Sequence, residues 1–443
     1  MLKKTVFYLN NYTFFILVIC LISIRLIFIV LYGNVTIMPD SEKYILLGEI
    51  ISELNFENYS GGRTPGFSFL IAISNQNLNI TIAIQIILGI LGSLLFYDFV
   101  KLRLTSKIVA FWNTLFINGF VHFILYEFAI LTESLTIFLM TLAFWYLEKF
   151  KLLTLRASLK HYFVLSLILS WLFFTRPVYL FIPIGLFIFV LSKCIILKQN
   201  TGLNFIKIFI IAIIPLASFY CIGSINKRNS GYFTSTTYSG LYLSQIATSF
   251  IEKAPDEDKI IRDIIIKHRD SIKPSNSDNR AMSVWFAQEE LKESTKLSEQ
   301  DLNYELGRIS KNLFLKYPHL YLSRVFKSLI SFWGYKGSLM LDHNTFNNIY
   351  FKYLILIIWK IQRYLLVVIH ILFLFFSFKK LKWFFKDKPN NYDFDLFLIC
   401  IVYSGAISQA LLVYGPNSRF AFPFLPLIAY FVLSNLRSLE IKK

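Results

Sequence analysis

The sequence predicts an all-α, polytopic membrane protein of about ten transmembrane helices, and three observations carry that expectation. The apolar residues of this 443-residue chain fall in separate blocks long enough to cross a bilayer, which takes about 20 residues of helix. Hydrophobic residues make up 56% of the chain and charged residues only 16%. Soluble globular domains run at about 45–50% and 25%. Lysine and arginine, finally, gather in alternate connections between the blocks, as the positive-inside rule requires. A soluble secreted enzyme, a nucleic-acid regulator and a disordered tail are excluded. The net charge of +18 would suggest a polyanionic partner in a soluble protein; in a membrane protein its placement matters first.

Taken in order, spans are expected at 13–32, 79–100, 107–125, 131–147, 162–176, 178–197, 205–223, 358–378, 394–413 and 421–436. The first follows Met1-Leu-Lys-Lys without a small-residue cleavage site and reads as an uncleaved anchor. Basic residues cluster on one side, around Lys3, Lys101, Lys149, Lys193, Lys379 and Arg437. The short connections on the other side carry only Lys43, Arg63, Arg176 and Arg419. Both termini are therefore expected in the cytoplasm, in an integral cytoplasmic-membrane protein. Three regions follow: an N-terminal transmembrane module, 1–223; an exterior helical insert with an amphipathic return, 224–345; and C-terminal transmembrane helices, 346–443. Within the first exterior loop, 33–78, the stretches Tyr44–Leu54 and Phe67–Ile73 are too short to span and are expected at the interface. The insert holds about half of the acidic residues, is rich in helix formers, and returns to the membrane through Leu320–Trp333.

The four cysteines, Cys20, Cys194, Cys221 and Cys400, have no paired spacing and read as small core residues. The six histidines form no zinc-hydrolase pattern, and His319, after Tyr317-Pro318, is a weak site candidate that reads better as a surface residue. Asp98 and Glu148 read as boundary charges, and Gln85 and Gln409 as hydrogen-bond partners between helices.

Chemistry is expected at the exterior membrane face. Asp40, in Met38-Pro-Asp-Ser-Glu-Lys-Tyr44, and Glu133, in Leu131-Thr-Glu-Ser134, each sit at a boundary where partial desolvation raises a carboxylate's pKa and fits it for proton abstraction. The ordinary alternative for each is helix capping. Three exterior arginines are each followed closely by proline: Arg63-Thr-Pro65, Arg176-Pro177 and Arg419-Phe-Ala-Phe-Pro423. A guanidinium fork suits a phosphate, and proline fixes the backbone that aims it. The ordinary alternative is snorkelling to lipid headgroups. Three such arginines beside two carboxylates favour an anionic ligand.

These motifs resemble those of the GT-C superfamily of polytopic glycosyltransferases, which includes the protein mannosyltransferases and the lipid A aminoarabinose transferases. The resemblance rests on Asp40-Ser-Glu-Lys-Tyr44 with Arg63-Thr-Pro-Gly-Phe67, on Leu131-Thr-Glu-Ser-Leu135, on Arg176-Pro177, and on Gly415-Pro-Asn-Ser-Arg-Phe-Ala-Phe-Pro-Phe-Leu-Pro426. Phe420 stands where the superfamily's terminal motif carries tyrosine, and Glu133 where the aminoarabinose branch carries aspartate. The resemblance implies a sugar donor carried on a polyprenyl phosphate and an acceptor that is a glycan, lipid or protein. Asp40 would be the general base and Glu133 a second acid; Arg63, Arg176, Arg419 and Tyr44 would bind the donor phosphate, with inversion at the anomeric carbon. Some members bind a divalent metal near these acids, so metal dependence is left open. The competing expectations are a lipid-linked saccharide flippase or transporter, and an oligosaccharide polymerase or ligase working from a pyrophosphate carrier.

Overall fold

The structure is a computed structural model, and it describes residues 2–198, 202–273, 277–334, 346–386, 392–414 and 417–440. The described residues are helical and contain no sheet, only an isolated bridge between Thr36 and Ala129. In chain order the helices are α1 Leu2–Leu31, α2 Ser41–Glu53, α3 Pro65–Ile73, α4 Leu78–Leu104, α5 Lys107–Asn118, α6 Val121–Glu127, α7 Glu133–Lys149 and α8 Leu159–Thr175. Next come α9 Phe181–Ile196, α10 Gly202–Ser230, α11 Ser239–Ala247, α12 Lys259–Asp270, α13 Ser277–Ala281, α14 Ser283–Phe286 and α15 Gln288–Thr295. The last are α16 Glu299–Lys316, α17 Pro318–Trp333, α18 Ile349–Lys386, α19 Phe394–Leu412 and α20 Leu425–Glu440.

Among the described residues, seven helices are long and apolar enough to cross a membrane, and α5 with α6, bent by 67°, makes an eighth if the pair is one span. The chain is a multi-pass integral membrane protein. The expected ten spans are not reached by that measure, and the reason is length. The expected spans 131–147 and 162–176 coincide with α7 and α8, each 17 residues. At 1.5 Å per residue such a helix covers about 26 Å, short of a hydrocarbon core of about 30 Å. The span expected at 107–125 is broken at Gly119-Phe120, where the free backbone groups find partners on α18. Gln362 donates to the Gly119 carbonyl at 2.5 Å and accepts from the Val121 amide at 3.0 Å.

Broad apolar stripes such as Phe14, Phe15, Leu26 and Val30 on α1 stay exposed, which a membrane helix bundle tolerates because lipid covers them. The cysteines depart from expectation for the same reason. Cys194 is buried, but Cys221 and Cys400 are exposed on helix faces, and all four are free thiols. Glu148 is no mere boundary charge: it is buried beside Arg103, whose Nη1 lies 3.5 Å away. Asp98 pairs with Lys101 at 3.0 Å, Gln85 donates to the Ala129 carbonyl at 2.9 Å, and His319 is exposed.

The insert folds as helices α11–α16 around its own core, with Leu241, Ile265, Val284, Leu291 and Leu306 buried. Its helix α11 lies against α16, and α17 then leads back to the bundle, against α19 and the 3₁₀ turn Asn417–Phe424. Leu322, Phe326 and Ile330 form an exposed apolar stripe along α17, at helical spacing.

Candidate active site

Two connections pair in parallel and bring the carboxylates together. The Thr36 amide donates to the Phe128 carbonyl at 2.8 Å, and the Ile130 amide donates to the Thr36 carbonyl at 3.1 Å. Asp40 follows Thr36 by four residues and Glu133 follows Ala129 by four, so the bridge sets both at matching distance from one pinned point. Ser41 fastens the arrangement, its hydroxyl donating to the Ile130 carbonyl at 2.8 Å. Asp40 occupies the N-cap position of α2 and Glu133 opens α7, as the capping alternative requires. Yet Asp40 makes no side-chain capping bond, and its carboxylate turns to arginines instead.

The arginines arrive from three other places. Arg63 precedes Thr64-Pro65, where Thr64 is extended and proline opens α3. Arg176 ends α8 in an extended conformation because the residue before a proline is barred from the helical region. Arg419 lies on the 3₁₀ turn Asn417–Phe424. Together the five side chains form a line of alternating charge: Arg63, Asp40, Arg419, Glu133, Arg176. Arg63 Nη2 is 2.7 Å from Asp40 Oδ1, and Arg419 Nη2 is 3.3 Å from Asp40 Oδ2. Arg419 Nε lies 3.0 Å from Glu133 Oε1, close enough for an ion pair though not aligned as a hydrogen bond. Arg176 Nη1 lies 3.5 Å from the same oxygen. Tyr44 completes the expected set, its ring 5.0 Å from the Arg63 guanidinium carbon. Phe420 lies beneath both other arginines, 4.6 Å from Arg176 and 5.5 Å from Arg419.

All six residues singled out in the sequence thus share one cluster, but one expectation about them is overturned. Burial does push the Asp40 pKa up, as anticipated. Arg63 and Arg419, with Arg176 behind them, outweigh that push and hold the carboxyl down at about 2. Asp40 is ionised and tightly paired, not poised near neutrality. Three guanidiniums against two carboxylates leave one positive charge in excess, at the ends of the line. Glu133 is fully buried, with Oε2 lacking a hydrogen-bond partner among the described residues, and so is Arg63 Nε.

The insert supplies residues that the sequence did not reveal. Arg63 Nη1 donates to the Tyr242 hydroxyl at 3.2 Å, and the Tyr238 ring lies 5.7 Å from the guanidinium carbon. The Tyr59–Arg63 segment is bound to the start of the insert: the Thr237 amide donates to the Gly61 carbonyl at 3.0 Å, and the Thr236 hydroxyl to the Gly62 carbonyl at 2.9 Å. Gly61 has φ +75°, and a Cβ on Gly62 would come within 2.6 Å of the Tyr238 ring. The two glycines at 61–62 were the only local signal of this close approach.

A second pair was also missed. Arg25 of α1 donates to Glu127 Oε1 at 2.7 Å and to Asn118 at 2.9 Å. A charged residue inside an apolar run was its signal. This pair beside a cavity of about 30 Å³ is self-neutralising and joins α1 to the α5–α6 break.

The residues do not fit a divalent metal. Three of the four carboxylate oxygens face a guanidinium, the fourth is enclosed, and no group of three metal-ligating side chains exists among the described residues.

No family model and no curated protein matches the chain. Among solved structures it is similar to the archaeal oligosaccharyltransferase AglB from Archaeoglobus fulgidus, determined in complex with an inhibitory peptide and a dolichol-phosphate. The TM-score is 0.51 at 12% identity, over 98% of this chain and 51% of that one. The likeness is one of fold. The chain spans about half the length of that enzyme.

Proposed function

We propose that the protein is a GT-C-type membrane glycosyltransferase that moves a sugar from a polyprenyl-phosphate donor to an acceptor hydroxyl, with inversion. The observation that carries this reading is the line of alternating charge with its cationic surplus, on a fold shared with an enzyme solved with a dolichol-phosphate. On this reading the chain crosses the membrane ten times with both termini cytoplasmic, and α7 and α8 are short spans in a locally thinned bilayer. The site then faces the exterior.

The line has direction. Arg176 holds the fewest partners, with a single long contact to Glu133 beyond its ring contact, so it meets the donor phosphate first. Asp40 lies toward the other end, linked through Arg63 to Tyr242 of the insert, and takes the proton from the acceptor hydroxyl there. Base and leaving group on opposite sides suit in-line attack. The bond from the acceptor oxygen to the anomeric carbon forms as the bond to the phosphate oxygen breaks, and the phosphate leaves with the electron pair. Arg176 and Arg419 are fixed where that charge develops. A phosphate that engages Arg419 also loosens its hold on Asp40, so donor binding moves this weak base back toward an ordinary carboxylate. Glu133 holds Arg176 and Arg419 in place through its Oε1.

Native mass spectrometry of the detergent-purified protein tests the donor class. Retention of a polyprenyl monophosphate is expected. Retention of a pyrophosphate-linked glycan alone would replace this reading with a polymerase or ligase, and retention of neither would remove the donor assignment.

A further inference from the structure

We propose that Arg419 acts as the internal bridging cation of this site, in the place a divalent metal would need between Asp40 and Glu133, so that the lipid phosphate binds without metal. This rests on the donor assignment above for its phosphate arm, though not for its metal arm. A divalent ion gathers carboxylate oxygens at about 2.0–2.6 Å and asks for six or more oxygen ligands. Here one guanidinium reaches both acids, at 3.3 Å to Asp40 and 3.0 Å to Glu133. Arg63 and Arg176 flank the pair on the outside, at 2.7 Å and 3.5 Å. An incoming dication would have to displace Arg419 and then sit between two further positive charges. Phe420, 5.5 Å from the Arg419 guanidinium carbon, backs that side chain, and its turn packs against α7 and α17. The cation is therefore part of the scaffold.

The replacement has a chemical consequence. A metal dissociates with chelator and orients ligands octahedrally or more loosely; a guanidinium does neither, and its charge persists at every relevant pH. Arg419 holds Asp40 and Glu133 together before any substrate arrives and presents its remaining N–H edge to an anionic oxygen.

The test uses Mn²⁺ alone as probe, followed by electron paramagnetic resonance on the purified full chain. Wild type is expected to bind no Mn²⁺ below millimolar concentration. Arg419→Gln opens the carboxylate pair and is expected to bind it at least tenfold more tightly, with the gain removed by adding Asp40→Asn. In parallel, retention of polyprenyl monophosphate by wild type should be unchanged within twofold after EDTA. Micromolar Mn²⁺ binding by wild type that Asp40→Asn abolishes would overturn the proposal, and needs no foldable Arg419 variant. So would an Arg419→Gln protein that elutes as a single species yet gains no Mn²⁺, or phosphate retention lost to EDTA and restored by Mn²⁺. If wild type retains no polyprenyl phosphate under any condition, the donor assignment fails while the Mn²⁺ arm still decides the role of Arg419.

Discussion

Helix α7 carries an ionic cluster at each end, and the two differ in a way that separates site from scaffold. Glu133 and Glu148 lie 15 residues apart on it, about 22 Å. At the Glu148 end, Arg103 bonds Asp395 at 2.9 Å and the Tyr430 hydroxyl at 2.8 Å, and Lys151 adds a second cation to Glu148. Cations and acids balance there, and none of those side-chain oxygens or nitrogens is buried without a partner. That cluster joins α4, α7, α19 and α20. At the Glu133 end the cations outnumber the acids, and buried atoms of Glu133 and Arg63 stand without hydrogen-bond partners among the described residues. Both ends contain arginine and carboxylate at similar distances. What distinguishes them is closure: a balanced, satisfied cluster staples helices, while on the proposed reading the unbalanced one is left for a substrate to complete.

The comparison breaks most visibly at Asp40. Asp40→Asn keeps the shape and removes the base, so release of polyprenyl phosphate from a polyprenyl-phosphate sugar should fall by about 10²–10⁴-fold, the usual worth of general base catalysis. Unchanged turnover in a folded, membrane-inserted protein would move the base elsewhere. The opposite end answers differently. Arg103→Leu leaves Glu148 to Lys151 alone and Asp395 without its ion pair, and should cost about 2 kcal/mol of stability once the partial exposure of the pair is allowed for. Thermal unfolding of the solubilised protein would show that loss, with the donor KM unaltered. A changed KM and an unchanged melting profile would reverse the assignment of the two ends.

Most of the site was legible because its members lie at breaks in apolar runs, where a charge or a proline stands out. Asp40, Glu133, Arg63, Arg176 and Arg419 were all found that way. The sign of the Asp40 shift was not, since burial can be read from position but the number of guanidiniums converging on one carboxylate cannot. Tyr242 was invisible because it reaches Arg63 across 179 residues and sits in a stretch that reads only as helix. Arg103 was absorbed into the basic flank, since placement alone does not separate a topology charge from a staple. The positions of the spans were legible, but the helices at Leu2–Leu31, Gly202–Ser230 and Ile349–Lys386 run about two turns or more past the expected 13–32, 205–223 and 358–378, and the Gly119-Phe120 break was read through, because apolar composition continues across it.

Arg176→Gln sharpens the direction of the line. It removes the least committed cation, and a charged hydrogen bond is worth about 1.5–3 kcal/mol, so the donor KM should rise at least about tenfold. An equal loss in kcat alone would place Arg176 on the leaving phosphate only in the transition state. The pH profile gives a subtler reading. With its pKa depressed to about 2, Asp40 stays ionised in the free enzyme as pH falls well below the ordinary carboxylate range. Its ion pairs add stability that is present above the unfolded pKa, about 3.8, and lost as pH falls through about 2. The acid limb of kcat, set by the donor complex in which Arg419 is shared with phosphate, should therefore lie at higher pH than the limb of kcat/KM assigned to Asp40. Coincident limbs would mean that donor binding does not release the base.

The smallest effect is expected where the insert touches the line. Tyr242 accepts one hydrogen bond, from Arg63 Nη1 at 3.2 Å, and its own hydroxyl proton has no acceptor among the described residues. Its ring is held by Trp285, centroid to centroid 5.9 Å, so Tyr242→Phe preserves the packing and deletes only the oxygen. One net hydrogen bond is worth about 0.5–1.5 kcal/mol, a change of about 2–12-fold. If the hydroxyl proton is given to the acceptor, that loss appears in transfer to acceptor and spares retention of polyprenyl monophosphate. If it appears in phosphate retention instead, the Arg63 end of the line serves the donor, and the direction assigned to the site is reversed.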